Sequence, residues 1–197
     1  MGSIKASDGT CRKDIVTRIA MAKQRMVQLT NLWKDRSIPT ELKMKILKCL
    51  VWPIMLYGSE TWTMKKDDEK KVEAAEMWFY RRVLRIKWTD KRTNDSVLQE
   101  LRTKKSLLNI INKRKLKYIG HAIRNPKTEL MKTVLQGKIQ APRRRGRPPT
   151  TYISTITKSS GLGLQEISQR SMDREKLRCL AKSACVAANV DHDDTNR

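Results

Sequence analysis

An all-α protein is what this sequence predicts, and three observations carry the expectation. Apolar residues recur at three- and four-residue steps over long stretches. Strand formers do not cluster, and Pro and Gly are few, six and eight of 197 residues. The hydrophobic share is only 39% and the charged share 32%, so the core should be thin and spread over amphipathic helices rather than deep.

The first element is read from Asp14 to Trp33, where Ile15, Ile19, Ala22, Met26, Leu29 and Trp33 make one apolar stripe. Asp14 sits at the positive end of that helix. A second helix is expected to start near Pro39, whose missing N–H costs nothing in a first turn. It runs through Met44, Leu47, Leu50 and Val51 until Pro53 kinks or stops it. A third spans Lys66 to Ile86, with Asp67, Asp68 and Glu69 at its start and Arg81, Arg82 and Arg85 at its end, suiting the helix dipole at both. Val72, Ala75, Phe79, Val83 and Ile86 form its buried stripe. All five tryptophans lie between 33 and 88, so the N-terminal half should be the better packed.

Ser106 can cap a helix that reaches Arg124. Leu107, Leu108, Ile111, Leu116, Tyr118, Ile119, Ala122 and Ile123 cover about half its circumference. Lys113, Lys117 and Arg124 gather on the other side, flanked by Arg114 and His121. His121 reads as a surface or boundary residue. A short helix from Thr128 to Gln136 should stop at Gly137. The stretch Lys138 to Thr150, with Pro142, Gly146, Pro148 and Pro149, reads as a strap that is neither helix nor central strand. A last helix is expected from Met172 to Ala188, followed by a frayed tail. Five segments result: a helical 1–100, a basic helical 101–137, the strap 138–150, a helical 151–190, and the tail 191–197.

Charge points to the partner. The formal net charge is +23, and residues 101–150 hold fifteen basic side chains against one acidic, Glu129. That window therefore carries +14 of the +23, an imbalance that an ordinary solvated surface does not need. Each Lys or Arg set against a phosphate releases counterions, so RNA or DNA is the expected partner. The contact residues read from this pattern are Lys113, Arg114, Lys117 and Arg124 on the helix and Arg143, Arg144, Arg145, Gly146 and Arg147 in the strap.

Other classes find little support. The opening MGSIKASDGTCRKD has no apolar core for a secretion signal, and Ala6 stands where a myristoylation signal wants Ser or Thr. The apolar run Ile46 to Tyr57 is short and contains Lys48 and Pro53, so no membrane span is expected. Four scattered cysteines and two histidines lack zinc-ligand spacing. Reduced thiols in the nucleus or cytoplasm fit best. Two-metal catalysis needs paired carboxylates on one surface. Asp67-Asp68 opens a helix among lysines, and Asp193-Asp194 sits in the tail. No phosphate loop, nucleophile elbow or HExxH motif occurs.

The run VWPIMLYGSETW (51–62), with Pro53, Tyr57-Gly58, Glu60 and Trp62, resembles a signature that follows the catalytic palm in reverse transcriptases of non-LTR (LINE-type) retrotransposons. Further blocks resemble the same family in the same order. They are Gly2-Ser3, Asp8-Gly9, Asp14-Ile15, Arg18-Ile19 and Ala22; Arg85-Ile86-Lys87-Trp88, Asp90 and Thr93-Asn94; and Arg114, Leu116, Gly120-His121 and Arg124. Arg145-Gly146-Arg147-Pro148 matches its strap, and Asp173-Arg174 with Leu177-Arg178 its terminal block. Tyr152 and Leu177 depart from the pattern, standing where the family usually has Trp.

The resemblance implies the post-palm part of such an enzyme: a thumb-like helical bundle, a basic strap and a small helical tail. The palm, with its paired aspartates, lies upstream of the first matching block in the family. The chain is then expected to be non-catalytic by itself, to grip template–primer RNA and DNA or target DNA, and to work with a palm in trans. It needs no cofactor of its own, Mg²⁺ belonging to the palm. Faces shaped to dock on a palm imply exposed apolar surface around Trp52 to Trp62. The alternative is a standalone DNA-binding protein that uses Arg145-Gly146-Arg147-Pro148 as an AT-hook in a narrow A·T minor groove.

Overall fold

The computed structural model describes residues 10–125, 127, 133 and 150–187. Among these residues there are helices and no strands. Two compact units form. The first comprises the described residues up to Gly58 together with Met64–Leu108; the second comprises Ser59–Thr63 and the described residues from Asn109 onward.

The first unit begins with α1 (Arg12–Gln28), followed by the short α2 (Thr30–Lys34). The expected single helix thus breaks at Leu29, and side chains explain where. The Met26 carbonyl accepts the indole N–H of buried Trp33 at 2.9 Å, and the Val27 carbonyl accepts the Thr30 hydroxyl. Side-chain donors of this kind compete with the backbone for helix carbonyls. Trp33 thereby folds back onto the helix that precedes it. Buried Lys43 closes α2, its Nζ donating to the carbonyls of Trp33 at 3.1 Å and Asp35 at 2.6 Å, a cation where the dipole is negative.

Helix α3 (Thr40–Ile46), a π turn (Leu47–Val51) and α4 (Trp52–Met55) run on without a stop. Pro39 lies just outside α3, in extended backbone, rather than in its first turn. Pro53 does not end the helix. The wider π turn directly before it changes the ladder at the point where a proline has no N–H to give. The same change rotates the faces, so Leu47 and Val51 are buried while Leu50 is exposed.

Helix α5 (Lys66–Leu84) matches its expected span closely. Asp68, the third residue in, accepts the Lys65 N–H at 3.4 Å, which makes the adjacent aspartates part of a helix cap. Val72, Phe79 and Val83 are buried, and so are Glu76 and Tyr80. Helix α1 packs against α4 and α5, and α3 against α5. Arg18, itself buried, lies 3.8 Å from Asp14 and places its guanidinium 4.4 Å from the Tyr57 ring centroid. Gly58 follows at φ 71°, a conformation that needs glycine. Helix α6 (Asn94–Glu100) starts where the Thr93 hydroxyl accepts the Ser96 N–H at 3.3 Å.

Helix α7 (Leu107–Arg124) starts after Ser106 as expected. Its N-terminal N–H groups meet a carboxylate from α5. Glu76 Oε1 accepts the N–H of Ser106 at 2.8 Å and its hydroxyl at 3.1 Å, and both Glu76 oxygens lie 3.3 Å from the Leu107 N–H. Ser106 acts as a donor to that carboxylate.

The second unit gathers α7 from Asn109 onward with three further helices, α8 (Tyr152–Ser160), α9 (Leu164–Met172) and α10 (Arg174–Ala187). Leu116, Ile119, Ile123, Ile156, Ile167, Leu177 and Leu180 form its core, each worth roughly 1.5–3 kcal/mol of burial. Thr151 and Ser154 cap α8 reciprocally, and Gly161 ends it in the left-handed region. Only the last of these three helices was expected as such, starting two residues earlier.

The Trp52–Trp62 region corrects an expectation. Trp52, Met55, Leu56 and Trp62 are all buried, while Tyr57 stands half out. Trp88 departs the other way, being 90% exposed.

Candidate nucleic-acid interface

Helix α7 carries the four candidate cations described here, and their surroundings separate them. Lys117 and His121 are exposed and Lys113 is half-buried. Their four-residue spacing puts these three in one row along the helix. The like charges of Lys113 and Lys117 repel unless an anion lies beside them.

Arg114 and Arg124 make contacts within the protein. Arg114 lies 3.3 Å from the Glu60 carboxylate, both partners being about one-third exposed. Arg124 donates to the Ser171 carbonyl at 2.6 Å, a charge-assisted bond from α7 to the end of α9. Glu60 also anchors Tyr152, whose hydroxyl donates to the Glu60 carbonyl at 2.7 Å. Burial pushes the Tyr152 hydroxyl well above its ordinary range, and neighbouring Tyr118 and Glu60 push it the same way.

Lys115 was absent from both faces of the sequence reading, yet it is buried at 2% exposure. Its spacing was the available signal: four residues from Ile111 and four from Ile119, it falls in the apolar stripe. Gly120 is explained by close approach. A Cβ there would lie 2.0 Å from Leu177 Cδ2, so α10 inserts a leucine where the glycine leaves room.

Several motif positions are therefore spent on the fold. Arg18 stacks on Tyr57, Glu60 pairs with Arg114, and Gly120 receives Leu177. Arg143, Arg144, Arg145, Gly146 and Arg147, with the rest of the strap and the expected helix before it, lie outside the described residues, as does the tail. Among the described residues no cluster of three His, Cys, Asp or Glu is placed to hold a metal ion. None of the described helices is long and apolar enough to cross a membrane.

Fold and site together define a chain whose described residues form helices and no strands, with Lys113 and Lys117 in one row on α7. No protein-family model matches it, and no solved structure does. Over 93 residues it is 29% identical to a transposon-derived protein of Caenorhabditis elegans. That match takes in 46% of this chain and 33% of the relative, so the chain spans about a third of that protein's length.

Proposed function

We propose that these residues are the nucleic-acid-gripping, post-palm part of a LINE-type reverse transcriptase, transposon-derived and not catalytic by themselves. The observation that carries the proposal is the charge of 101–150, fifteen cations to one anion. Lys117 on the open side of α7 is part of it. The ordered series of motif resemblances and the similarity to a transposon-derived protein both support the family. Binding runs through the phosphate backbone, so it is blind to sequence and sensitive to salt.

Asp67 and Asp68, one of the two adjacent aspartate pairs in the sequence, open α5, and Asp68 caps it. In this reading polymerisation belongs to the palm, with its Mg²⁺. The test is a primed RNA template offered to the full chain with Mg²⁺ and nucleotides. The expected result is a bound complex with no primer extension; extension by this chain alone overturns the non-catalytic assignment.

The string Arg145-Gly146-Arg147-Pro148 favours a second reading, an AT-hook. Glycine between two arginines lets the backbone approach a narrow minor groove. Competition between A·T-rich and G·C-rich duplexes separates the readings. An A·T preference that disappears in Arg145→Ala and Arg147→Ala favours the hook, and equal competition removes it.

A further inference from the structure

We propose that Trp88 is a stacking platform for an unpaired base, a second nucleic-acid contact outside the basic helix and strap. Among the described large apolar side chains Trp88 is the most exposed, at 90%. An indole left in water forgoes one of the largest burial gains any residue offers. Trp33 and Trp62, by contrast, are each 1% exposed.

The backbone around Trp88 is tied down on both sides. Trp88–Asp90 is a single 3₁₀ turn closed by Asp90, whose carboxylate accepts the Lys87 N–H at 2.8 Å and whose own N–H bonds to the Lys87 carbonyl at 3.1 Å. Upstream, Arg85 sits at φ 59° and donates to the Lys34 carbonyl at 2.9 Å. Downstream, Arg81 reaches the Arg92 carbonyl at 3.2 Å and the Asn94 side chain at 2.8 Å. The ring is thus presented on a pinned turn, which lowers the ordering cost of binding.

Charge selects the occupant. Residues 81–92 hold six cations (Arg81, Arg82, Arg85, Lys87, Lys91 and Arg92), of which Arg92 pairs with Glu100 at 2.6 Å, and one anion, Asp90, whose carboxylate accepts the Lys87 N–H. Lys87 and Lys91, on either side of the turn in sequence, are both exposed. An exposed aromatic ring on a turn flanked in sequence by exposed lysines matches a base joined to its phosphates. Bases inside a duplex already stack on each other, so the ligand is a single strand or an unpaired end.

This inference rests on the nucleic-acid reading above and adds the kind of contact made. The test uses the full chain and a short single-stranded oligonucleotide, with a blunt duplex of the same length as control. Trp88→Ala is expected to weaken single-strand binding on the order of tenfold. The loss should be the same at every salt concentration, because stacking releases no counterions, while Trp88→Phe keeps most of the affinity. Lys87→Ala with Lys91→Ala should instead flatten the salt dependence, by about 0.7 per cation for a single strand. Duplex binding should not respond to Trp88→Ala.

Equal single-strand affinity for Trp88→Ala and the unaltered chain overturns the platform and leaves the nucleic-acid reading standing. So does a loss shared equally by single strand and duplex, or by Trp88→Phe and Trp88→Ala. No binding by the unaltered chain at low salt overturns both. A partner protein that captures Trp88 while single strands ignore it also overturns the platform.

Discussion

The Glu76 carboxylate accepts the Ser106 main-chain N–H at 2.8 Å, joining the middle of α5 to the start of α7 across thirty residues of chain. Glu76 is fully buried, and the Tyr80 hydroxyl donates to the same oxygen at 2.7 Å. One carboxylate thus satisfies backbone donors that a helix start leaves over, and its charge suits the positive end of α7.

Removing it should be costly. Glu76→Ala leaves the Ser106 and Leu107 N–H groups and the Tyr80 hydroxyl without their acceptor, and about 3 kcal/mol of unfolding free energy should be lost. Tyr80→Phe should cost about 1 kcal/mol. Because both act through one oxygen, the double variant should fall short of the sum. Urea unfolding followed by circular dichroism measures all three.

Alkali should act on two phenols, the buried Tyr80 and the half-buried Tyr152. Tyr80 and Tyr152 are both held well above the ordinary value of 10, first by burial, with Glu76 adding for Tyr80 and Tyr118 and Glu60 for Tyr152. Unfolded, they would ionise near that ordinary value. Above it the folded state keeps protons that the unfolded state has lost. Their contribution is therefore complete below about pH 10 and declines as pH rises, by up to about 1.4 kcal/mol per pH unit for each phenol. Unfolding midpoints taken from neutral to alkaline pH should fall less steeply for Tyr80→Phe, and again for Tyr152→Phe.

Gly120 and Leu177 should behave as a coupled pair. Alone, Gly120→Ala drives a methyl into Leu177, and overpacking of about 1–3 kcal/mol outweighs a gain in helix propensity of about 1 kcal/mol. In a Leu177→Ala background the obstruction is gone, and the same change should become stabilising. A thermal double-mutant cycle reads the reversal of sign; destabilisation of similar size in both backgrounds would contradict the contact.

The cations of α7 should divide by role. Lys113→Ala with Lys117→Ala should weaken binding to duplex and leave stability within about 0.5 kcal/mol. Arg124→Ala should lower stability by about 1–2 kcal/mol, since it strands the Ser171 carbonyl. Parallel melts and binding titrations distinguish a phosphate contact from a structural one.

Much of the helical layout could be read directly. The stripes of α1, α5 and α7 follow the helical period, and the acidic start of α5 marks its cap. What escaped reading depends on partners far away in sequence. Glu76 looks like any surface glutamate until Ser106 and Leu107 are beside it, and Lys43 until Trp33 and Asp35 present their carbonyls. Leu50 is exposed beside buried Leu47 and Val51 because the π turn ahead of Pro53 shifts the register by which faces are counted. The basic helix was legible as basic, but which of its cations pair with the protein's own groups was not: Glu60 is 54 residues from Arg114, and Ser171 47 from Arg124. The exposure of Trp88 has no trace in the sequence, because composition says nothing of direction.

Salt dependence tests the central claim most directly. If the α7 row and the strap arginines together engage about six phosphates of a primed RNA template, log affinity against log salt should be a straight line with a slope of about −5. The Lys113→Ala, Lys117→Ala variant should lie about two units shallower. An unaltered chain that fails to bind at low salt, or whose affinity does not change as salt rises, contradicts the account.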